Sequence, residues 1–414
     1  MLDVRALRPT VGVSALHATA VRRTNAGKAI ATVDLYDQLE GVGAGAKLSV
    51  PWVAEVTPFV GYAKAAQDTD DLLISFGLTS RNGDVLDVVA DDMGIDLEGR
   101  VDSPTVPLEP SEPASQGFRR VLSNLTDTID ANRQGTIDDI DPEFLHDLRV
   151  AVRRSRSILS HAKRVLPADG RDHFRGELRW LGTVTSPVRD LDVYLIEWPG
   201  YVAPLDGETA RSLASVVDHL EARKTAEQAV LAAHLSSARY QGLMAAWRAW
   251  LESPAEAASS KRSPRTLGPV VVARIAEAQV QLLSRGRAIG PTTAAEELHE
   301  LRKDAKRLRY LLECFGGLLP ASARKPFVQR LKALQDNLGE HQDTEVHTTQ
   351  LKAMSQELHG APGVSADTLL AMGRLTEVFN RRRQEARDLF AERFSAYDTK
   401  PTARALAELL GVIS

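Results

Sequence analysis

The sequence predicts a mainly α protein: a duplicated antiparallel helical bundle with a pseudo-twofold repeat, preceded by a small N-terminal α/β module. Three observations predict it. A stretch of about 50 residues recurs without a gap 153 positions later. From Gln116 onward, apolar residues return at helical spacing almost throughout. Before residue 62, by contrast, short β-rich runs flank turn residues.

In chain order, residues 1–100 read as the small module. Thr19 to Arg23 and Ile30 to Tyr36 flank Asn25-Ala26-Gly27, a hairpin signal. Val53 to Val60 gives a further extended run, and short helices are expected near 63–76 and 86–93. Residues 101–115 carry Pro104, Pro107, Pro110 and Pro113 and read as a linker. The bundle then divides into a first half, 116–258, a polar linker, 259–269, and a second half, 270–414.

The repeat is most explicit in two cationic segments. The first runs Leu145-His146-Asp147-Leu148-Arg149 and continues to Arg153, Arg154 and Arg156. The second runs Leu298-His299-Glu300-Leu301-Arg302 and continues to Lys303, Lys306, Arg307 and Arg309. Downstream, Leu166-Pro167-Ala168 matches Leu319-Pro320-Ala321, Phe174 matches Phe327, Arg179 matches Lys332, and Asp190-Leu191-Asp192-Val193 matches Asp343-Thr344-Glu345-Val346. A helix turns about 100° per residue. With His146 as origin, Arg149, Arg153 and Arg156 fall within about 80° of it, and Leu145, Leu148, Val152 and Ile158 take the opposite side. His299, Arg302, Lys303, Lys306 and Arg309 share one face of the second copy in the same way. Arg154 and Arg307 lie nearer the edge of that face. Few carboxylates interrupt either strip, whereas a solvated face usually mixes signs. Two equivalent cationic strips brought together by a twofold form a groove for an extended polyanion.

The residues expected to line it are His146, Arg149, Arg153, Arg154, Arg156, Arg179, Arg189, His299, Arg302, Lys303, Lys306, Arg307, Arg309 and Lys332. Arginine matches phosphate oxygens with a planar fork of donors, and lysine adds a compact charge. His146 and His299 read as the starts of their helices, placed for phosphate contact. Arg189 is one-sided, because Gln342 occupies its repeat position. Lys163-Arg164, Arg285-Gly286-Arg287 and Arg381-Arg382-Arg383 are further basic clusters. Asp190, Asp192, Asp343 and Glu345 could hold a divalent cation. The preferred reading is that they pair with arginines such as Arg153 or Arg307, so no metal and no cofactor is expected. Neither histidine has a second ligand at i+4.

At this point the chain resembles the CHAD family, whose name refers to conserved histidines in an α-helical domain. The resemblance spans roughly residues 114–395 and rests on His146 to Arg154, on Arg189-Asp190-Leu191-Asp192-Val193-Tyr194 and on His299 to Tyr310. It implies binding of inorganic polyphosphate and association with polyphosphate granules. The N-terminal region is similar to the second half of a CYTH domain, a triphosphate-tunnel barrel. It lacks the Glu-x-Glu-x-Lys strand of that family, and about 60 residues hold too few strands for a closed barrel. A degenerate module without triphosphatase chemistry is expected.

Composition sets the remaining bounds. The net charge is −4, yet residues 1–100 hold 14 acidic and 9 basic side chains, so the acid excess lies away from the basic helices. A local patch sets the local potential. One cysteine, Cys314, excludes an intrachain disulfide and suits a reducing cytoplasm. No signal-peptide pattern and no long uncharged apolar run are found, which predicts a cytoplasmic, granule-associated protein without membrane spans. No Gly-x-x-x-x-Gly-Lys, His-Glu-x-x-His or Gly-x-Ser-x-Gly motif is present, so a binding protein is expected rather than an enzyme. Two rival readings are a hydrolase of phosphate anhydrides acting through the N-terminal module, and a nucleic-acid-binding protein. The basic strips carry only Tyr310 for base stacking, which weakens the second.

Overall fold

The computed structural model describes residues 13–24, 27–41, 52–59, 62–79, 106–253, 265–361 and 364–412. The chain divides into two compact units, Ala6–Asp102 and Ser103–Ser414.

The smaller unit is an antiparallel meander in the order β1-β2-β3, with β1 Val13–Arg23, β2 Ala29–Gly41 and β3 Trp52–Pro58. Gly27 takes φ 82 in the β1–β2 connection, a left-handed value that a residue without Cβ adopts at no steric cost. One helix, α1 Ala63–Ser75, packs on the sheet, and Arg22 donates to the Ala65 carbonyl and to Thr69. The expected helix at 86–93 lies outside the described residues.

The larger unit is helical throughout. In the first copy it runs α2 Ala114–Ile137, α3 Pro142–His161, α4 Ala168–Val184, α5 Ser186–Val202, α6 Gly207–Ser212, α7 Ala214–Ser236 and α8 Ala238–Glu252. In the second copy it runs α9 Leu267–Ala288, α10 Ala295–Cys314, a short 3-10 turn Gly316–Leu318, α11 Ala321–Leu358, α12 Ala366–Tyr397 and α13 Lys400–Gly411. Several helices start at a side-chain cap. Asp141 caps α3 by accepting from the Glu143 amide at 2.7 Å, with Pro142 in the first turn, where its missing N–H costs nothing. Ser365 caps α12 in the same manner. Because α3 begins at Pro142 and α10 at Ala295, His146 and His299 sit in the second turns of their helices, not at their starts as the sequence suggested.

The pseudo-twofold repeat is visible as reciprocal contacts. The Ala114 amide donates to the Arg265 carbonyl at 2.9 Å, and the Leu267 amide donates to the Glu112 carbonyl at 2.8 Å. Those two bonds interchange under the 153-residue offset, and Pro113 bridges its own equivalent, Thr266. The rings of Tyr194 and its equivalent His347 meet at 4.8 Å. Arg154 on α3 reaches Glu313 near the end of α10, while Arg307 on α10 lies beside His161 at the end of α3. Helices α3 and α10 therefore pack antiparallel across the axis.

The copies differ where proline dictates. Pro187 cannot donate to a carbonyl one turn back, and the helix breaks at Thr185 into α4 and α5. Its equivalent is Glu340, and α11 runs on unbroken for 38 residues, about 57 Å. The main apolar core takes residues from both copies, among them Phe118, Leu148, Trp247, Ile275, Leu308 and Phe327. A second cluster, with Tyr194, Tyr201, Leu220, Leu351 and Phe379, closes the far ends of α5, α7, α11 and α12. Cys314 is unpaired and packs against the main core.

Candidate functional site

Helices α3 and α10 turn their leucine and valine stripes into the core. Leu148, Val152, Leu301, Ala305 and Leu308 are all fully buried. That burial fixes the rotation of each helix, so the cationic strips must face outward together. The strips converge on the pseudo-twofold axis. Arg153 and Lys306 occupy equivalent positions and lie close enough to interact. Asp190 and Asp343 also interact across the axis. Neither Arg153 nor Lys306 makes an ion pair or a side-chain hydrogen bond among the described residues, and the Arg153 Nε is buried without a partner. Burial, with Arg302 and Arg153 beside it and against the pull of Asp343, lowers the Lys306 ammonium to about 8.

The flanking arginines are held by their own acceptors. Arg149 donates from Nη1 to the Gly182 carbonyl at 3.0 Å and to Thr185 Oγ1 at 2.8 Å. Burial, offset in part by Asp190, leaves it at about 10. Arg302 donates to Asp343 at 3.0 Å and lies over Gly339, where an added Cβ would stand 3.7 Å from its Nη2. His146 is pushed to about 4 by burial and then by Arg189, Arg153, Arg149 and Arg154, so it is a neutral imidazole at pH 7. His299 donates from Nδ1 to Gln342 at 2.6 Å, which leaves Nε2 as the ring's other polar edge. Arg189 donates to the Pro142 carbonyl at 3.3 Å with Glu143 at 4.0 Å.

Other predicted residues are drawn aside. Lys303 pairs with Glu300 at 2.7 Å and Arg307 with Asp304 at 2.6 Å, both at i,i+3 on α10. The Asp304 side chain is 1% exposed and also binds Arg285 at 2.8 Å, so this cluster ties α9 to α10. Glu313 takes Arg154 at 2.6 Å and Arg309 at 2.5 Å. Arg156 has no such partner. It lies among Arg175 and Arg179, and Arg179 and Lys332 are exposed on α4 and α11. Asp343 pairs with an arginine as expected, here Arg302, whereas the Asp192 side chain, 1% exposed, pairs with Lys224 at 3.1 Å. Arg382 binds Glu340 and lies over the Tyr201 ring, and Arg287 binds Asp398. Arg164 lies away from the groove, lining a cavity with Arg265 and Arg274.

Sequence reasoning missed Arg175, Gly182 and Thr185. Arg175 stands one turn before Arg179 on α4, and that i,i+4 spacing was the available signal. Ligand atoms of Glu143, His146 and Asp147 come within 4.8 Å of one another. The four arginine charges around His146 oppose a cation there. Among the described residues no helix is long and apolar enough to cross a membrane.

This arrangement has known relatives. Residues 120–352 match the CHAD domain family. The chain is 28% identical over 244 residues to two uncharacterized proteins of Mycobacterium tuberculosis, MT2285 of strain CDC 1551 / Oshkosh and Rv2226 of strain H37Rv. The match covers 58% of this chain and 46% of each relative, so the chain spans about half the length of these curated relatives. The fold is similar to the crystal structure of the CHAD domain from the plant Ricinus communis, with a TM-score of 0.60 and 27% identity over 72% of this chain and 96% of that one. It is also similar to PptA from Streptomyces chartreusis, with a TM-score of 0.53 and 17% identity over 69% of this chain and all of that one. The three-stranded module lies outside the family match. With the family match spanning more than half of its length and both histidine-bearing helices inside the matched region, the chain belongs to the CHAD family.

Proposed function

We propose that the protein binds inorganic polyphosphate in the groove between α3 and α10, as a binding module and not a catalyst, and that this places it on polyphosphate granules. One observation carries the reading. Arg153 and Lys306 are like charges, half-buried and mutually close, and neither makes a direct ion pair among the described residues, although Asp190 and Asp343 act on them from nearby. Holding two such cations together is costly unless an anion offsets them. Arg149 and Arg302 flank them, so a chain of phosphates crossing the axis meets four cations in succession. The family resemblance names the polyanion.

Binding should release counterions, and the logarithm of affinity should fall linearly with the logarithm of salt concentration. Four to six phosphate contacts predict a slope of roughly −3 to −5. Fluorescence titration of long-chain polyphosphate at several salt concentrations, with single-stranded RNA as competitor, tests this. A slope near zero, or displacement by RNA at equal charge concentration, would overturn the assignment to polyphosphate. Triphosphate hydrolysis by the intact chain would overturn the non-catalytic part.

The pH profile provides a separate check. Free Lys306 gives up its proton as pH rises through about 8, and a bound anion favours its charged form. Affinity should therefore fall above pH 8, and should show no His146 step near neutrality, since that ring stays neutral down to about 4. Ligand-free stability should respond in the opposite sense. The Lys306 pKa falls from 10.5 in the unfolded chain to about 8 in the fold, so between those values the unfolded state binds more protons and this group's contribution to stability rises with pH. Calorimetric titrations and melts at pH 7, 8, 9 and 10 would reveal both trends.

A further inference from the structure

The two ends of the groove are equivalent by the repeat but not by chemistry. At the second-copy end, Arg309 is engaged by two acceptors, one of them a carboxylate that it shares with Arg154. Glu313, four residues on, accepts from its Nε at 2.5 Å, and Gln335 on α11 accepts from its Nη1 at 3.3 Å. At the first-copy end each of those acceptors is replaced. Ser160 stands where Glu313 does, and Gly182 stands where Gln335 does. Arg156 lies over the space that Gly182 leaves open, with its Nη1 3.4 Å from where a Cβ would be. One cation is added as well: Arg175 takes the position of Val328, while Arg179 keeps the positive charge of Lys332. The charges of Arg179 and Arg175 act on the Arg156 guanidinium, and burial with these two neighbours pushes it below its ordinary range. Arg156, Arg175 and Arg179 make no ion pair or side-chain hydrogen bond with another described residue. Arg175 does feel Asp172, but that carboxylate is already held by both arms of Arg171, at 3.0 and 3.1 Å.

Three guanidiniums gathered without a carboxylate partner suit a group of higher charge than one internal phosphate. The terminal phosphate of a linear chain is such a group. It carries about −1.5 to −2 at pH 7 and presents three acceptor oxygens, whereas an internal phosphate carries a single charge. We propose that Arg156, Arg175 and Arg179 form a subsite for a terminal phosphate, so that the groove takes a chain by its end at the first-copy side. This rests on the polyphosphate reading above and adds a direction to it. The Arg149 bond to the Gly182 carbonyl keeps the subsite continuous with the central cations, since Arg149 and Arg156 flank the same glycine.

The test compares three ligands on the intact chain by calorimetry: tripolyphosphate, long-chain polyphosphate, and the same long chain with its ends capped as phosphoramidates. The parent should bind the free-ended chain roughly tenfold tighter than the capped one, about 1.4 kcal/mol. Arg175→Ala/Arg179→Ala should weaken tripolyphosphate by roughly tenfold while changing the capped chain by less than about threefold. Ser160→Glu, which supplies the carboxylate present in the second copy, should reproduce that loss with every arginine retained, which separates it from misfolding. Lys352→Ala, which removes an exposed cation of α11 outside both cationic strips, should change tripolyphosphate binding by less than about twofold. Equal binding of free-ended and capped chains by the parent would sink the subsite and leave the groove intact. An equal loss for all three ligands in Arg175→Ala/Arg179→Ala would do the same. Failure of the parent to bind any of them would instead remove the polyphosphate reading itself.

Discussion

Arg149→Ala, Arg153→Ala, Arg302→Ala and Lys306→Ala combined will weaken polyphosphate binding by more than about a thousandfold, because hydrogen bonds to charged groups contribute about 1.5–3 kcal/mol each. The four will not contribute equally. Arg149 and Arg302 are already bonded, to Gly182 and Thr185 and to Asp343, so a ligand must compete with acceptors in place. Arg153 and Lys306 have no such acceptor among the described residues, and a ligand meets them without displacing a partner. Arg153→Ala/Lys306→Ala should therefore account for the larger share of the loss. Fluorescence titration of the two double variants, with helicity checked by circular dichroism, reads this directly. A larger loss from Arg149→Ala/Arg302→Ala would move the centre of the site away from the axis. The variants should fold, since the apolar backs of both helices are untouched.

The largest effect on stability is expected from Trp247→Ala. Trp247 is 0% exposed, donates from Nε1 to Thr126 at 2.7 Å, and packs against Phe174 at 5.0 Å and Trp250 at 5.4 Å. Its removal leaves a cavity in the main core and strips a buried hydroxyl of its donor. The cost should be about 3–5 kcal/mol, read as a lower midpoint in urea unfolding at unchanged slope. The second copy uses a different device at the matching place, where Tyr397 donates to Gln279 at 2.6 Å and meets Phe327 at 6.1 Å. A shift below about 1 kcal/mol would mean that the core collapses around the gap.

The helices bearing the site were legible because their patterning is local. Leucine at every third or fourth position set the buried side of α3 and α10, and the cations fell opposite by geometry alone. The duplication was legible for the same reason, since an ungapped offset needs no structure to detect. Partner choice was less accessible. Lys303 and Arg307 share a strip with Lys306 in projection, yet Glu300 and Asp304 stand three residues before them and take them aside. That spacing was present in the sequence and was outweighed by the face-by-face view. Glu313 could not be assigned that way, because one of its two arginines comes from the other copy. Asp192 and Lys224 are far apart in sequence and meet only through the packing of α5 on α7. The break at Thr185 followed from Pro187, whereas the unbroken α11 followed from the absence of a proline at the matching position, a weaker signal.

The exchanged backbone bonds of Ala114 with Arg265 and of Leu267 with Glu112 have the form of a homodimer contact, in which each partner gives what it receives. Here both partners belong to one polypeptide. Their encounter is governed by the effective concentration of a tethered pair and does not depend on how much protein is present. A site on a dimer axis would come apart on dilution, but this one stays assembled at any expression level. The tether also relaxes a constraint that binds true homodimers, where every substitution appears twice. In this chain Gly182 and Gln335 could diverge independently, and a symmetric cradle could acquire two unlike ends.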